Sequence, residues 1–194
     1  MRIDRAFVVV AVLPADESFL EPCLEHLVAA ADEAAAAGIP TTVVLSCALA
    51  ADRVGPVLTS WSPLVSLLEG VEVVPVTVPA GSDAPGAHRA GLDEAVRRTV
   101  DPATTLLLTT AASVAVGVEW ITEHARHHAD GARATTGPVK GGPAVHPTTS
   151  NLAVRMDVVV SAGLRDEAWR GDLPLVHAVT PVVGTLRVTL RTAP

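Results

Sequence analysis

The sequence predicts an α/β fold with a mostly parallel sheet that carries helices on both faces. Short runs of β-branched and aliphatic residues alternate with longer segments rich in alanine and charge over the first 110 residues. Such alternation is typical of a parallel sheet, whose buried strands are nearly continuous apolar runs. Aromatic residues make up only 3% of a chain that is 49% hydrophobic, so the predicted core consists of small aliphatic side chains.

Four strands and three connecting helices are predicted in the first part of the chain. The strand candidates are residues 6–13, 41–47, 71–78 and 104–110, and the helix candidates are 17–37, 53–69 and 84–99. Gly38 and Pro40 are stop signals after the first helix. Pro56 and Pro63 are expected to interrupt the second, and Asp83 is a candidate cap for the third.

After residue 110 the predicted elements become shorter. They are a helix at 118–130, a strand at 132–139, a loop rich in Gly and Pro at 137–147, a strand running into a helix over 151–163, a helix at 166–179 and a strand at 185–190. The chain has neither an internal repeat nor a linker-like segment. We therefore expect one domain over residues 1–194.

Charge and cysteine content exclude several classes of function. The net charge is −7 and Lys140 is the sole lysine, which argues against binding to nucleic acid or an anionic membrane. The sequence contains neither a membrane-spanning apolar stretch nor a signal-peptide cleavage pattern, so we expect a cytoplasmic protein. Cys23 and Cys47 lie in apolar segments and are expected to be buried, reduced thiols.

In a parallel α/β sheet, ligands bind at the carboxyl ends of the strands. The predicted strands direct attention to the loops that begin near Pro14, Ser46, Pro79 and Ala111. Residues in these loops also carry a resemblance to a known family. Five short segments match in order: Pro14–Glu17, Gly86–Gly91, Leu107–Ser113, Glu119–Ile121 and Ser150–Arg155.

In these segments the chain resembles family 2 glycosyltransferases, which are inverting enzymes of the GT-A fold that transfer sugars from nucleotide donors. The resemblance covers about residues 6 to 190 and implies a single-domain GT-A-like sheet flanked by helices. It also implies a ligand site on the carboxyl edge of that sheet. The candidate ligand-binding residues are Pro14, Asp16, Glu17, Ser46, His88, Arg89, Ser113, Lys140, Asn151 and Arg155. Asp16 is equally suited to cap the first helix.

The resemblance also shows what the chain lacks. Where the family has a metal-binding Asp-x-Asp motif, this sequence has Ala111, Ala112 and Ser113, which supply at most one neutral hydroxyl. Mg²⁺ and Mn²⁺ are hard cations that need oxygen ligands, preferably carboxylates. We therefore expect neither a metal ion nor another cofactor. Arg89, Lys140 and Arg155 are the candidate phosphate contacts in its place.

The predicted catalytic residues are Asp172, His177 and His146. Asp172 stands near the family's catalytic carboxylate pair, of which Gly171 replaces the other member, and is a candidate general base. Its alternative role is to cap a helix. Together with His88, the two histidines can carry acid–base chemistry without metal, or they can be incidental polar residues.

Three further histidines, His124, His127 and His128, lie on one predicted helix. His124 and His128 are spaced i, i+4, a pattern that can share a metal ion. A further ligand is not evident beside them, and Arg126 and Asp130 favour a solvated helix face. We therefore predict that these histidines lie on the surface.

Three functions are compatible with the sequence. The first is a metal-independent transferase acting on a small-molecule acceptor with a nucleotide-sugar donor. The second is a repurposed biosynthetic tailoring enzyme that uses Asp and His on another small substrate. The third is a non-catalytic pseudo-glycosyltransferase that binds a ligand or a partner protein. The Ala/Val-rich composition is also compatible with a homo-oligomer.

Overall fold

The computed structural model describes residues 2–79, 81–132, 134–136, 139–140, 151–161, 180–181 and 188–190. Its strands are β1 (Arg5–Val12), β2 (Thr41–Cys47), β3 (Val71–Thr77), β4 (Thr105–Ala111), β5 (Val114–Ala115), β6 (Ala134–Thr136), β7 (Val139–Lys140), β8 (Asn151–Arg155), β9 (Thr180–Pro181) and β10 (Val188–Leu190). Its helices are α1 (Leu20–Ala36), α2 (Ala51–Val65), α3 (Ala84–Arg98), α4 (Trp120–Ala129) and α5 (Met156–Ser161).

The strands form one large and one small sheet. The large sheet has the order β3-β2-β1-β4-β8-β6-β9, and its first four strands are parallel. Strand β8 runs antiparallel to both β4 and β6. The small sheet has the order β5-β10-β7. The predicted fold class, a mostly parallel sheet flanked by helices, is confirmed.

Alternating side chains of β1 build a core on each face of the large sheet. Val8 and Val10 pack with α1 and α4 on one face, whereas Phe7 and Val9 pack with α3 and α5 on the other. All four of these residues are at most 1% exposed. A strand that is buried on both faces needs apolar side chains at every position, which explains the unbroken Ala-Phe-Val-Val-Val-Ala-Val run.

Helix α3 lies close to the sheet because of Gly91. A Cβ atom on Gly91 would lie 2.3 Å from Ser46 Oγ and 2.6 Å from Val9 Cγ1. Both separations are far shorter than a van der Waals contact between heavy atoms. Only glycine therefore permits this helix to pack on β1 and β2 at the observed distance.

The outer edge of the sheet is formed by β3, within the residues that the structure describes. At the two ends of the ladder, Thr41 N–H donates to Gly70 O and Val78 N–H donates to Cys47 O. Since alternate residues of a parallel strand bond to the same neighbour, the even-numbered residues of β3 face β2. Pro75 therefore directs its nitrogen, which cannot donate, to the open edge. This is the position at which a strand tolerates proline, and it discourages pairing with another strand.

Several predicted elements differ in detail. A 3₁₀ turn, Pro14–Phe19, precedes α1, and the strand predicted at 132–139 is split between β6 and β7. Helix α2 continues through Pro56 and Pro63, contrary to the expected interruption. Both prolines are exposed, so water can bond to the carbonyl groups that they leave unpaired. The helix predicted at 166–179 lies outside the described residues.

The two cysteines are free and buried, as expected. Within the described part of the chain, the helices are too short or too polar to cross a membrane.

Candidate active-site cleft at the β1 and β4 carboxyl ends

The strand order reverses at β1, and this reversal locates the candidate site. The chain adds β2 and β3 on one side of β1 and then places β4 on the other. In open α/β sheets, ligands bind in the crevice outside the carboxyl ends of the two strands that flank such a reversal. Here that crevice lies between the segments that follow Val12 of β1 and Ala111 of β4.

The segment after β1 is locally bonded and acidic. Pro14 begins the 3₁₀ turn, and Asp16 closes it: its carboxylate accepts from Leu13 N–H at 3.1 Å, and its own N–H donates to Leu13 O at 2.8 Å. The carboxylate therefore closes this turn instead of serving as the N-cap of α1. Glu17 pairs with Arg53 of α2 at 2.9 Å, with both side chains well exposed.

The segment after β4 has an alternating pattern of exposure. Ala111 and Ser113 are partly exposed, whereas Ala112 is buried at 3% exposure. The two partly exposed positions carry a methyl group and a neutral hydroxyl. Neither carries a charge here. Within the described residues, a group of three His, Cys, Asp or Glu side chains that can hold a metal ion is absent.

The crevice between the segment after β4 and the start of α1 is too narrow to admit a water molecule. It is lined by Phe19, Pro22, Cys23, His26, Ala112, Ser113, Val114 and Ala115. Burial, and secondarily the charge of Asp16, raises the pKa of the Cys23 thiol to about 12. Since the thiolate is the reactive form, Cys23 is not suited to act as a nucleophile.

The first turns of α3 add two predicted residues at this edge of the sheet. His88 is 7% exposed, and burial lowers its pKa to about 4, so the imidazole is neutral near pH 7. Arg89 is exposed. Ser46 is fully buried beneath Gly91, which argues against contact between its hydroxyl and a soluble ligand.

The opposite side of the edge, at β8 and α4, holds a buried polar network. Trp120 Nε1–H donates to Asn151 Oδ1 at 2.9 Å, and His124 Nε2 lies 3.2 Å from the same oxygen. His124 Nδ1 lies 2.6 Å from Thr135 Oγ, and His128 Nε2 lies 3.1 Å from that hydroxyl. Asn151 therefore belongs to an internal network at the carboxyl end of β4.

The network corrects the expectation that the α4 histidines lie on the surface. His124 and His128 are 1% and 0% exposed, and only His127 is partly accessible. Burial is the main cause that lowers the pKa of each buried histidine to about 4. Arg126, which favoured a solvated face, is paired with Glu123 on the exposed side of the helix. The i, i+4 spacing reflects a helix face turned to the sheet.

Arg155 lies away from the predicted site. It pairs in register with Leu106, at the amino end of β4, whereas Asn151 pairs with Thr110 near the carboxyl end. At about 3.3 Å per residue, four residues of strand separate Arg155 from the candidate site by roughly 13 Å. Its guanidinium is also bonded to Asp157. This position argues against a phosphate contact at the carboxyl edge.

The remaining predicted site residues are not described. Asp172, His177 and His146 lie outside the described residues, and for Lys140 only the backbone, in β7, is described. Their roles stay predictions. Sequence reasoning also missed Trp120, His124, Thr135 and His128 as one cluster. The sequence pattern that indicates this cluster is the i, i+4, i+8 spacing of Trp120, His124 and His128, which places them on one helix face.

Similar solved structures show that the fold is that of the nucleotide-diphospho-sugar transferase-like, or GT-A-like, enzymes. One similar structure is the mannosyltransferase PcManGT from Pyrobaculum calidifontis in complex with GDP-Man and Mn²⁺, with a TM-score of 0.58 and 14% identity. The match covers 84% of this chain but only 47% of that enzyme, so the chain spans about half of its length.

A second similar structure is 4-diphosphocytidyl-2C-methyl-D-erythritol synthase from Anaerococcus prevotii DSM 20548. Its TM-score is 0.59 at 13% identity, and the match covers 93% of this chain and 88% of that one. No protein-family model matches the sequence, and no curated protein matches it significantly. At these identities the comparisons establish the fold.

Proposed function

We propose that the chain is a GT-A-like transferase that binds a nucleotide-linked sugar in the crevice between the carboxyl ends of β1 and β4, without a carboxylate-held cation. The main support for the proposal is the reversal of strand order at β1, which defines a ligand crevice. The same fold occurs in a mannosyltransferase that binds GDP-Man. The missing carboxylates after β4 support the metal-free form of the chemistry.

A diphosphate requires positive charge at this edge. Residues 14–25 contain Asp16, Glu17, Glu21 and Glu25 but no lysine or arginine, so the positive charge must come from other segments. We assign this contact to Arg89, which is exposed on the second turn of α3. A guanidinium binds phosphate oxygens through paired hydrogen bonds and needs no metal to do so.

Calorimetric titration with GDP-mannose tests this proposal, first in EDTA and then with Mn²⁺. We expect binding in EDTA that Arg89→Ala weakens about tenfold or more, since a hydrogen bond to a charged group contributes about 1.5–3 kcal/mol. Arg97→Ala is the matched control, because Arg97 is an exposed arginine near the other end of the same helix. Equal loss in both variants, or binding only with Mn²⁺, contradicts the proposal.

A gain-of-function variant sharpens the same test. Replacing Ala111 and Ser113 with aspartate creates two carboxylates at the partly exposed positions after β4. We expect the double variant A111D/S113D to bind GDP-mannose more tightly with Mn²⁺ than in EDTA, whereas the parent chain shows no such dependence. The variant A112D is the control, because residue 112 is buried.

The acidic segment after β1 favours a second candidate, a protein that kept the fold but binds a neutral hydroxylated ligand without transferring it. Four carboxylates, of which Glu17 is paired with Arg53, disfavour a diphosphate more than an uncharged sugar. Titration with mannose separates the two candidates. Binding of mannose without binding of GDP-mannose supports the second candidate and excludes the first.

A further inference from the structure

Helix α2 buries few of its apolar side chains in the fold. The helix has 15 residues, yet among its described side chains only Val54 is buried. From Val54 to Leu68 the sequence has no charged residue, although 18% of the whole chain is charged. Two large apolar side chains of this stretch are well exposed, Leu64 at 47% and Leu67 at 80%. A surface that is apolar and free of charge is typical of the centre of a protein interface.

A groove opens beside this helix, between α2 and the edge strand β3. Its volume is about 330 Å³. Since an apolar cavity of about 150 Å³ holds a benzene ring, the groove has room for about two large apolar side chains. Its lining is mainly half-buried and apolar, with Leu58, Trp61 and Val65 from α2 and Val71 and Val73 from β3. Pro75 lies at its rim and disfavours an added strand, so the groove suits the side chains of a partner.

The charged residues at the two ends of the uncharged stretch have opposite signs. Arg53 lies in the first turn of α2, Glu69 follows the helix, and both are exposed. If the α2 helices of two copies lie antiparallel, Arg53 of each copy meets Glu69 of the other. Arg53 already pairs with Glu17 through Nη1, but a guanidinium has further N–H donors for a second carboxylate. In this arrangement the neighbouring Asp52 falls opposite Gly70, which has no side chain.

The apolar residues fit the register that the charges define. A pairing of Arg53 with Glu69 places the two-fold axis at Trp61, and each residue before Trp61 then meets the residue equally far after it. Leu64 therefore meets Leu58, which lines the groove of the other copy. The segment around Trp61, Val-Leu-Thr-Ser-Trp-Ser-Pro-Leu-Val, is almost the same in both directions. Apolar side chains thus meet apolar ones, and serine hydroxyls meet serine hydroxyls.

We propose that α2 and the groove beside it form the contact surface of a two-fold dimer, in which the α2 helices of two copies pack antiparallel about Trp61. Leu64 of each copy fills the groove of the other, and Arg53 pairs with Glu69 at both ends. A second copy is the occupant with matching chemistry, because its own α2 supplies the exposed leucine, the uncharged surface and the opposite charge at each end.

The net charge of the chain favours this surface over others for contact between copies. With a net charge of −7, two copies repel one another, so they can meet only where the surface carries little charge or complementary charge. The groove lies beside β3, two strands away from β1. The dimer is therefore independent of the proposed function, and it can be tested without a ligand.

Sedimentation velocity of the full chain tests the dimer. One helix pair buries less than the roughly 1,600 Å² of a standard interface, so we expect a monomer–dimer equilibrium over about a hundredfold range of concentration. Leu64→Glu should weaken association by about tenfold or more, because the two-fold axis places two unpaired charges in the contact. Val118→Glu is the matched control, since Val118 is 51% exposed and precedes α4. A chain that stays monomeric, or a dimer that Leu64→Glu does not weaken, overturns the proposal.

Reversal of the two end charges tests the antiparallel arrangement. Arg53→Glu and Glu69→Arg should each weaken the dimer by about fivefold, whereas the double variant should restore it with the charges exchanged. Both positions are exposed, so all three variants should fold. Glu17→Gln is the control for the lost pair within one copy, and it should leave the dimer at least as strong. A double variant that associates as weakly as the single variants overturns the antiparallel arrangement.

Discussion

The two sides of the sheet's carboxyl edge differ in how their polar groups are held. After β1 and β4, the polar side chains are largely exposed, bonded locally or in a surface ion pair, and Ala111 and Ala112 contribute none. At β8 and α4, five side chains form one continuous buried network. The β8–α4 side therefore depends on its polar contacts for folding, whereas the side formed by the segments after β1 and β4 does not.

This difference separates two kinds of substitution. A change in an exposed segment can alter ligand binding with little effect on the fold, because water replaces the lost contacts. A change in the buried network leaves donors or acceptors without partners and lowers stability. Loss of activity on the β8–α4 side must therefore be read together with a stability measurement.

The largest expected effect is on stability, at Trp120. Its side chain is 1% exposed and bonds to Asn151. We expect Trp120→Ala to lower the free energy of unfolding by about 3–5 kcal/mol through the cavity it creates. Trp120→Phe, which mainly loses the N–H, should cost about 1 kcal/mol. Urea unfolding measures both.

Ser113→Ala is the comparison from the other side, because Ser113 is partly exposed at the end of β4. We expect a change of less than about 0.5 kcal/mol. Equal costs for Trp120→Ala and Ser113→Ala would show that the two sides do not differ as the structure indicates.

Acid is expected to have an effect of comparable size, because the shifts of His88, His124 and His128 add. Burial lowers the pKa values of His88, His124 and His128 from 6.5 to about 4. The unfolded chain therefore binds more protons than the folded chain in this range, and stability falls as pH drops below 6.5. The upper limit is about 1.4 kcal/mol per pH unit for each histidine. Urea unfolding between pH 7 and 5 should show this decline.

The same pH interval lies above the range in which the Glu94 carboxylate titrates. Hydrogen bonds from Arg97 and Arg98 lower the pKa of Glu94 from 4.5 to about 2, so its contribution to stability is lost only below about 4.5. His128→Asn should make the free energy of unfolding less dependent on pH, by the equivalent of about one bound proton. The asparagine amide can still donate to Thr135. A free energy of unfolding that is constant from pH 7 to 5 would contradict the buried, neutral histidines.

The sequence predicted the strands of the parallel half closely, because β1, β2 and β4 are buried on both faces and the partly exposed β3 is a short run rich in valine. β2 matches its predicted bounds, and β1, β3 and β4 differ by one residue at their ends. The close approach of α3 to the sheet was not predictable. The sequence does not show that Gly91 lies at a helix–sheet contact, which becomes evident only from the positions of Ser46 and Val9 beneath it.

The candidate site was only partly predictable. The loops after β1 and β4 were among the four that followed from the predicted parallel strands, whereas the burial of His124 and His128 was not predicted. Charged neighbours indicate a solvated helix face only if they share that face, and Arg126 lies on the other side of α4. Arg155 was misplaced because an antiparallel β8 carries its last residue to the opposite edge of the sheet.

Backbone amide NMR during titration with GDP-mannose in EDTA tests the central claim most directly. We expect the largest chemical-shift changes at Leu13–Ser18 and Ala112–Ser113, with little change at Glu94–Arg98 at the far end of α3. This result would establish cation-free binding in the β1–β4 crevice. The absence of shifts in EDTA, their appearance only with Mn²⁺, or changes centred elsewhere in the chain would contradict it.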